Sequence, residues 1–361
     1  MTETTSWVNC VQQRGQEVSD FVSEHLGSSQ RKALLIAGAG FDPRSTTITR
    51  EISAKMNERV QGLFLKEERP NPPRELADRA TRNLQRMTEM LVDNKVMSVN
   101  VFADDGAVIG GREIIRILSS MTWPDRTDLI IDLSALSRGV AFPAVRYLLD
   151  RAQKSVPSFN LHLMVNDSPD IDGAVVSVAC DKVATMHGFR GKFHLDETSR
   201  AAKLWLPQYG PHQRAVLERI YNYVSPDDVC PILPFPSSNP RWGDELIDHY
   251  RQEFETVWGV DARNIVHADE KSPLDLYRAI LRIDDARKRV FSEVGGSLLI
   301  LTPIGSKAMA IGALMAAIDR DFPIAYIEAI GYTVDCGKLD AYETGEGEFV
   351  HVWLHGEAYQ N

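Results

Sequence analysis

The sequence predicts an α/β protein of two Rossmann-like, parallel-sheet domains related by internal duplication about a pseudo-two-fold axis. Three observations predict it. Strand-length apolar runs alternate with longer stretches of helical spacing, the pattern of parallel strands joined by crossover helices. A second set of such runs follows in the C-terminal half, and polar landmarks of the first set recur there in the same order. With 361 residues the chain also exceeds what one core usually holds, roughly 250 to 300 residues.

Taken in chain order, the first strand is Ala33 to Ala37, an unbroken apolar run of the kind buried on both faces of a sheet. Val60 to Leu65 is the second, and the periodic stretch Glu75 to Val92 reads as the helix after it. Met97 to Phe102 is a third strand, Arg112 to Met121 a second amphipathic helix, and Leu129 to Leu133 and Leu161 to Val165 two further strands. The pattern then loosens through a polar segment from 166 to 205, where His187 and His194 have no assigned role. Gln213 to Tyr223 has helical spacing, and Cys230 to Phe235, Asn264 to Ala268, Ser297 to Thr302 and Ile324 to Ile330 complete a second sheet.

The repeat is clearest when Leu129–Asp150 is laid without gaps on Leu298–Asp319. Six of the 22 positions are identical, where chance gives about one or two, and Ser137 and Arg138 fall on Ser306 and Lys307. FDPR at Phe41 to Arg44 is matched by SNPR at Ser238 to Arg241, and VFADD at Val101 by VHADE at Val266. KLWLP at Lys203 and HVWLH at His351 close the halves. The expected domains are therefore 1–207 and 208–361, the first lengthened by an extra strand and helix between Val60 and Val92.

Composition narrows the function. Forty Lys and Arg against 50 Asp and Glu give a net charge of −10, which repels long nucleic acid but leaves room for a small anion in one basic pocket. The four cysteines are isolated and form no CxxC or Cys/His cluster, so no metal site or disulfide framework is expected. The N-terminus has no signal-like apolar segment, and no run approaches the roughly 18 apolar residues of a membrane span. The reading is cytoplasmic, with a homo-oligomer left open.

In open parallel sheets ligands bind beyond the carboxyl ends of the strands, where helix N-termini point. There the sequence places Gly38, Gly40, Arg44 and Ser45 in GAGFDPRS, Ser137 and Arg138 after the strand at 129, Asn239 and Arg241 in SNPR, and Ser306 and Lys307 in TPIGSKA. Guanidinium, ammonium and hydroxyl groups beside a helix N-terminus suit a phosphate, so these loops are expected to meet in one cleft around a nucleotide-like anion. The two glycines either admit a ligand to the backbone or let neighbouring segments pack, and each serine either binds or caps a helix. Asp42 and Asp132 are the candidate catalytic acids or bases, each without a counterpart in the other half. His267 reads as a core residue or else a ligand contact; Trp7 and Trp242 read as exposed groups at an interface or as core edges.

The two-domain plan, with the turn and helix TPIGSKAMAIGALMAA at Thr302 to Ala317, resembles the CRISPR-associated Rossmann fold sensor domains (CARF) and their fused-pair relatives (SAVED). That resemblance implies a receptor for cyclic oligonucleotides, acting in prokaryotic antiviral defence with a separately encoded effector protein, since no third domain fits in the chain. A looser similarity is to sirtuin-type NAD-consuming enzymes, through GAG at Gly38, Asn166-Asp167 and His187-Gly188, which implies ribose activation by Asn166 and His187. The two functional expectations are thus a nucleotide-binding sensor and an enzyme acting on a nucleotide, NAD or phosphorylated sugar; no cofactor is specified.

Overall fold

The computed structural model describes residues 7–123, 125–155, 159–190, 201–210, 212–293, 295–342 and 347–359; His194 lies outside them. The chain divides into two compact units, one of Cys10–Ser177 with Ile330–Asn361 and the other of Met1–Asn9 with Val178–Ala329. We call them the first and second units.

The first unit is built on a seven-stranded sheet of β1 (Val11–Arg14), β2 (Ala33–Gly38), β3 (Val60–Glu68), β4 (Asn94–Asn100), β5 (Asp128–Asp132), β6 (Asn160–Asp167) and a late strand, Glu348–His355. Strands β4, β3, β2, β5 and β6 lie side by side and parallel. The late strand then pairs antiparallel with β6 on one edge and with β1 on the other. All six residues of β2 are buried, as a central parallel strand requires, while the edge strand β4 is largely exposed and carries Lys95. The helices Arg74–Met90 and Gly110–Ser120 bury one face each, Arg138–Lys154 is buried all round over Gly139–Val145, and Leu35, Ile48, Ile52, Phe64 and Met164 sit in the core between sheet and helices.

Two strands lead between the units. They are β7 (Val175–Thr185) and a later one, Ala325–Val334, and they pair as a ribbon.

The second unit holds β8 (Ala202–Pro207), β9 (Asp228–Val229), β10 (Ile232–Pro234), β11 (Val266–Ala268) and β12 (Ser297–Thr302), with β13 being Ala325–Val334 and β14 the late strand Glu348–His355. β8 pairs in parallel with β12 and β9, and β10 with β11. Single parallel bridges, Gln208 to Ile232 and Leu301 to Ile324, extend the same order to β10 and to the residue before β13. Tyr250, Phe254 and Trp258 pack with Trp205 and Tyr209 in its core, and Gly312 lets the buried helix Lys307–Arg320 lie against the helix Pro273–Phe291. A Cβ at Gly312 would stand 2.3 Å from the Pro273 carbonyl oxygen.

Each unit therefore sets its first strand at the centre, the second and third to one side and the fourth and fifth to the other. This order is general to doubly wound sheets and is no sign of duplication in itself. It does correct several sequence assignments. Val60–Glu68 and the helix after it are the ordinary second strand and crossover, not an addition. The boundary expected at 207/208 falls instead near 177 and again near 330, because KLWLP is the central strand of the second unit while HVWLH returns to the first unit beside β6. FDPR follows the central strand β2 whereas SNPR follows β10, so these two pairs are not equivalent; the pairs 129–150/298–319 and VFADD/VHADE do occupy matching places. Trp7 is buried, edge-on to Tyr277 with its backbone N–H donated to the Tyr277 hydroxyl at 3.0 Å. Trp242 is half-buried and His267 is exposed rather than in the core.

One polar chain crosses the core of the first unit. His162 lies between Asp128 at 3.1 Å and His351 at 3.0 Å, and His351 reaches the Gln13 side chain at 2.8 Å. Phe21 stacks on His351 at 4.4 Å, and Arg31 and Asn160 also donate to Asp128.

Candidate functional site

At the carboxyl edge of the first unit, Asp42 caps the short turn Pro43–Thr46 by accepting the Arg44 N–H at 2.9 Å. The same carboxylate takes the Arg44 guanidinium at 2.7 Å, and Asp172 takes it from the other side at 2.9 Å. Arg44 is only 2% exposed, and its pKa is raised by Asp42 and Asp172 in spite of burial. Two carboxylates thus neutralise the guanidinium in this structure. Arg44 Nη1 is nonetheless buried without a partner among the described residues. Ser45 is fully buried and donates to the Asp42 carbonyl at 2.7 Å, so it too is structural.

The same fold-back of Arg onto Asx recurs at Asn239 and Arg241, where the Arg N–H donates at 3.0 Å, and at Asp261 and Arg263 at 2.9 Å. The third case lies on a 3-10 turn, Ala262–Asn264, that precedes β11 and so is at the amino end of that strand rather than at a carboxyl end. The shared D/N-x-R pattern is therefore local turn chemistry, in which a short side chain mimics a backbone acceptor.

Gly38 has a packing reason. A Cβ there would lie 2.9 Å from Leu136 Cδ2 and 3.0 Å from the Ala135 carbonyl carbon, so its absence lets the loop after β5 close over β2. At Gly40 the nearest atom would be 3.9 Å away, which leaves the backbone open to approach. Asn83 holds this turn by donating to the Gly40 and Asp42 carbonyls at 2.9 and 3.1 Å.

Asp132 ends β5, buried, and accepts the Ser134 N–H at 2.8 Å. Ser137 begins the helix Arg138–Lys154, with its N–H donated to Glu67 at 2.8 Å and its buried hydroxyl unpartnered among the described residues. Glu67 also pairs with Arg69 at 2.7 Å, and Arg69 lies over the Tyr332 ring. Arg138 is half-buried at the first helical turn. Asn166, on β6, accepts from Tyr342 at 3.1 Å and belongs to the first unit, whereas His187 is exposed in the second.

The second unit repeats the strand-to-helix turn in different company. Ser306 caps the helix Lys307–Arg320 by accepting the Met309 N–H at 3.2 Å and donates its own proton to the Glu270 carbonyl at 3.0 Å. Lys307 is half-buried on the first turn. Glu270 is a three-way tie: its N–H donates to the Pro236 carbonyl at 3.0 Å and its carboxylate takes the Ser238 N–H at 2.9 Å. Asn239 bonds Glu245 at 3.1 Å and accepts the Arg241 N–H, and both Asn239 and Arg241 are exposed. Gln208, at the end of β8 and 1% exposed, donates to the Met309 carbonyl at 3.5 Å and leaves its amide oxygen unpartnered beside Gly305.

With this geometry in hand, comparison with known proteins adds little. No family model matches the chain, and no curated protein matches it. Among solved structures, an NH3-dependent NAD synthetase from Campylobacter jejuni is similar over 40% of this chain and 52% of its own, about half its length, at 12% identity and a TM-score of 0.22. A structure described as a UDP-N-acetylglucosamine 2-epimerase from Listeria monocytogenes is similar over 82% of this chain and 92% of its own, at 9% identity and a TM-score of 0.24. Neither likeness bears on chemistry. Among the described residues, no three His, Cys, Asp or Glu side chains gather as a metal site, and no helix is long and apolar enough to cross a membrane.

Sequence reasoning missed Asp172, Glu67, Glu270, Gln208 and the exposed Phe235. The acids carried a signal, since buried basic loops need neutralising partners; Gln208 and Phe235 lie in stretches that read only as apolar strand.

Proposed function

We propose that the protein binds a phosphate-bearing, nucleotide-like small molecule at the carboxyl edges of its sheets, as a sensor that reports to a separately encoded partner. One observation carries the reading. In each unit the helix following the strand beside the central one opens on a serine and a basic residue, Ser137-Arg138 after β5 and Ser306-Lys307 after β12. The cation and the helix N-terminus act on the same anion there, each contributing about 0.3 to 1 kcal/mol at an exposed site and more where water is excluded. The CARF/SAVED resemblance agrees with this reading and narrows the ligand to cyclic oligonucleotides. Isothermal titration with cyclic di- and trinucleotides and mononucleotides tests it: Arg138→Ala with Lys307→Ala abolishes binding while the melting temperature stays within a few degrees. Unchanged affinity in the double variant refutes the reading.

An enzymatic reading rests on Asp132, which is buried at the end of β5 with one oxygen held by the Ser134 N–H. A carboxylate so fixed is placed to take a proton from a substrate hydroxyl or water. Conversion of the bound nucleotide by the native chain, lost in Asp132→Asn with binding retained, establishes it; recovery of the ligand unchanged refutes it.

A further inference from the structure

We infer that the carboxyl edge of the second unit carries a stacking platform for a planar heterocyclic base, formed by Phe235 with His267, beside the phosphate position at Ser306 and Lys307. This inference rests on the phosphate-binding reading above and names the other half of the ligand.

Phe235 directly follows β10 and is 56% exposed, although its neighbours Leu233 and Ile232 are buried. An aromatic ring left in water at the end of a parallel strand loses the transfer free energy that its residue type normally recovers by burial. It is not on a loose loop. The Phe235 N–H donates to the Ala268 carbonyl at 2.8 Å, and the exposed His267 ring stands edge-on at 6.1 Å with an interplanar angle of 79°. One face of Phe235 is thereby braced, in the edge-to-face arrangement aromatic pairs prefer.

The platform and the helix N-terminus are tied by Glu270. Its N–H is bonded to the Pro236 carbonyl at 3.0 Å and its carbonyl to the Ser306 hydroxyl at 3.0 Å, so the residue after Phe235 and the cap of the helix Lys307–Arg320 bracket one amino acid. The Pro236 carbonyl oxygen and the Ser306 hydroxyl are thereby at most about 10 Å apart, which puts the backbone beside Phe235 near the cap. Beside the phosphate position the buried Gln208 amide oxygen lacks a partner among the described residues and lies next to Gly305, which leads into the cap. Exposed Ser238 and half-buried Ser237 rim the platform with hydroxyl groups for a base edge or ribose. The neighbouring exposed positions are Pro236, Ser238, Asn239 and Pro240, so the ring stands beside both polar groups and proline rings.

The test separates base from phosphate. The full chain is titrated with AMP, cyclic di-AMP and ribose 5-phosphate, in the native form and as Phe235→Ala, Phe235→Trp and Lys307→Ala. Stacking is worth about tenfold or more in affinity per base. Phe235→Ala is therefore expected to lower AMP and cyclic di-AMP affinity at least about tenfold while leaving ribose 5-phosphate unchanged, and Phe235→Trp to restore it; Lys307→Ala lowers all three. If the native chain binds AMP no better than ribose 5-phosphate, or Phe235→Ala binds AMP as the native chain does, the platform is wrong and the phosphate site stands. If none of the three probes binds the native chain, both readings fall.

Discussion

Replacing Asp128 by Asn tests the reasoning about the first unit's core most severely. Asp128 opens β5 with no exposed surface, and burial alone would push its carboxyl upward, yet His162, Thr127 and Asn160 hold it down at about 2. A carboxyl lowered in the folded state stabilises it above the unfolded value, near 4, and that stability is lost as pH falls through about 2. The displacement of nearly two pH units corresponds to about 2 to 3 kcal/mol at neutral pH. Removing the charge while His162 and Arg31 still face the site raises the cost toward the ~3 to 5 kcal/mol of a broken buried pair. His351 adds an earlier limb. Burial, and then His162 and His25, hold its imidazole well below 6.5, so the folded state keeps it neutral and loses stability as pH falls below that value.

The assay is urea denaturation at pH 7.5, 5.5 and 3.5 followed by tryptophan fluorescence, for which Trp353, 4.8 Å from His162, is a local reporter. The native chain is expected to lose stability from pH 7.5 to 5.5 and again toward pH 3.5. Asp128→Asn should be about 2 to 5 kcal/mol weaker at pH 7.5 and should lose roughly 0.5 to 1 kcal/mol less than the native chain between pH 5.5 and 3.5, the larger part of the Asp128 contribution being lost below pH 3.5. A variant within about 0.5 kcal/mol of the native chain at pH 7.5, or one with an undiminished loss toward pH 3.5, refutes the account.

Three further substitutions probe the same logic elsewhere. Gly38→Ala places a methyl 2.9 Å from Leu136 and should cost about 1 to 3 kcal/mol in urea denaturation, whether or not a ligand is present. Gly312→Ala meets backbone, not a side chain that can swing away, at 2.3 Å, and should cost about 3 kcal/mol or more, with faster hydrogen exchange in the helices Pro273–Phe291 and Lys307–Arg320. Arg44→Met leaves the buried Asp42 and the partly exposed Asp172 without their cation and should cost about 3 kcal/mol in urea denaturation at pH 7.5; a loss below about 0.5 kcal/mol would show that the ion pairs contribute little.

The doubly wound strands were legible because central parallel strands are buried on both faces and read as apolar runs. Ala33–Gly38, Asp128–Asp132 and Ser297–Thr302 lie within a residue or so of where the runs place them. β1 and β7 were not legible: β1 is four residues of mixed polarity, and β7 pairs only with β13 in a ribbon whose residues are mostly exposed or half-buried. The unit boundary was misplaced because KLWLP and HVWLH are alike in sequence and opposite in role, one a central parallel strand and the other antiparallel beside β6. Site residues divide in the same way. Ser137, Arg138, Ser306 and Lys307 stand at strand ends as their position relative to an apolar run demands. Arg44 and Ser45 turn inward, Arg44 on a partner 128 residues distant, while Asn239 stays exposed and bonds Glu245; Asp172 as the neutraliser of Arg44 has no local signal at all.

Electrostatics then distinguishes the two edges, although their turns match. In the first unit Asp42, Asp172, Glu67 and the buried Asp132 crowd the strand ends, Arg44 and Arg69 are already paired, and a phosphate approaching Arg138 meets this fixed negative charge. In the second unit Asp269 and Glu270 keep their charge while accepting backbone N–H groups, but Arg241 forms no ion pair among the described residues and adds to the edge that carries Lys307 a cation that the first edge lacks. Charge within about 10 Å acts with little screening at physiological salt, so the anion should prefer the second edge. Lys307→Ala alone is therefore expected to weaken nucleotide binding by about tenfold, and Arg138→Ala alone by no more than two- to threefold, as read by titration at 150 mM salt. The reverse order would mean that the acidic groups of the first edge do not face the ligand, and that Arg138 rather than Lys307 sets the affinity.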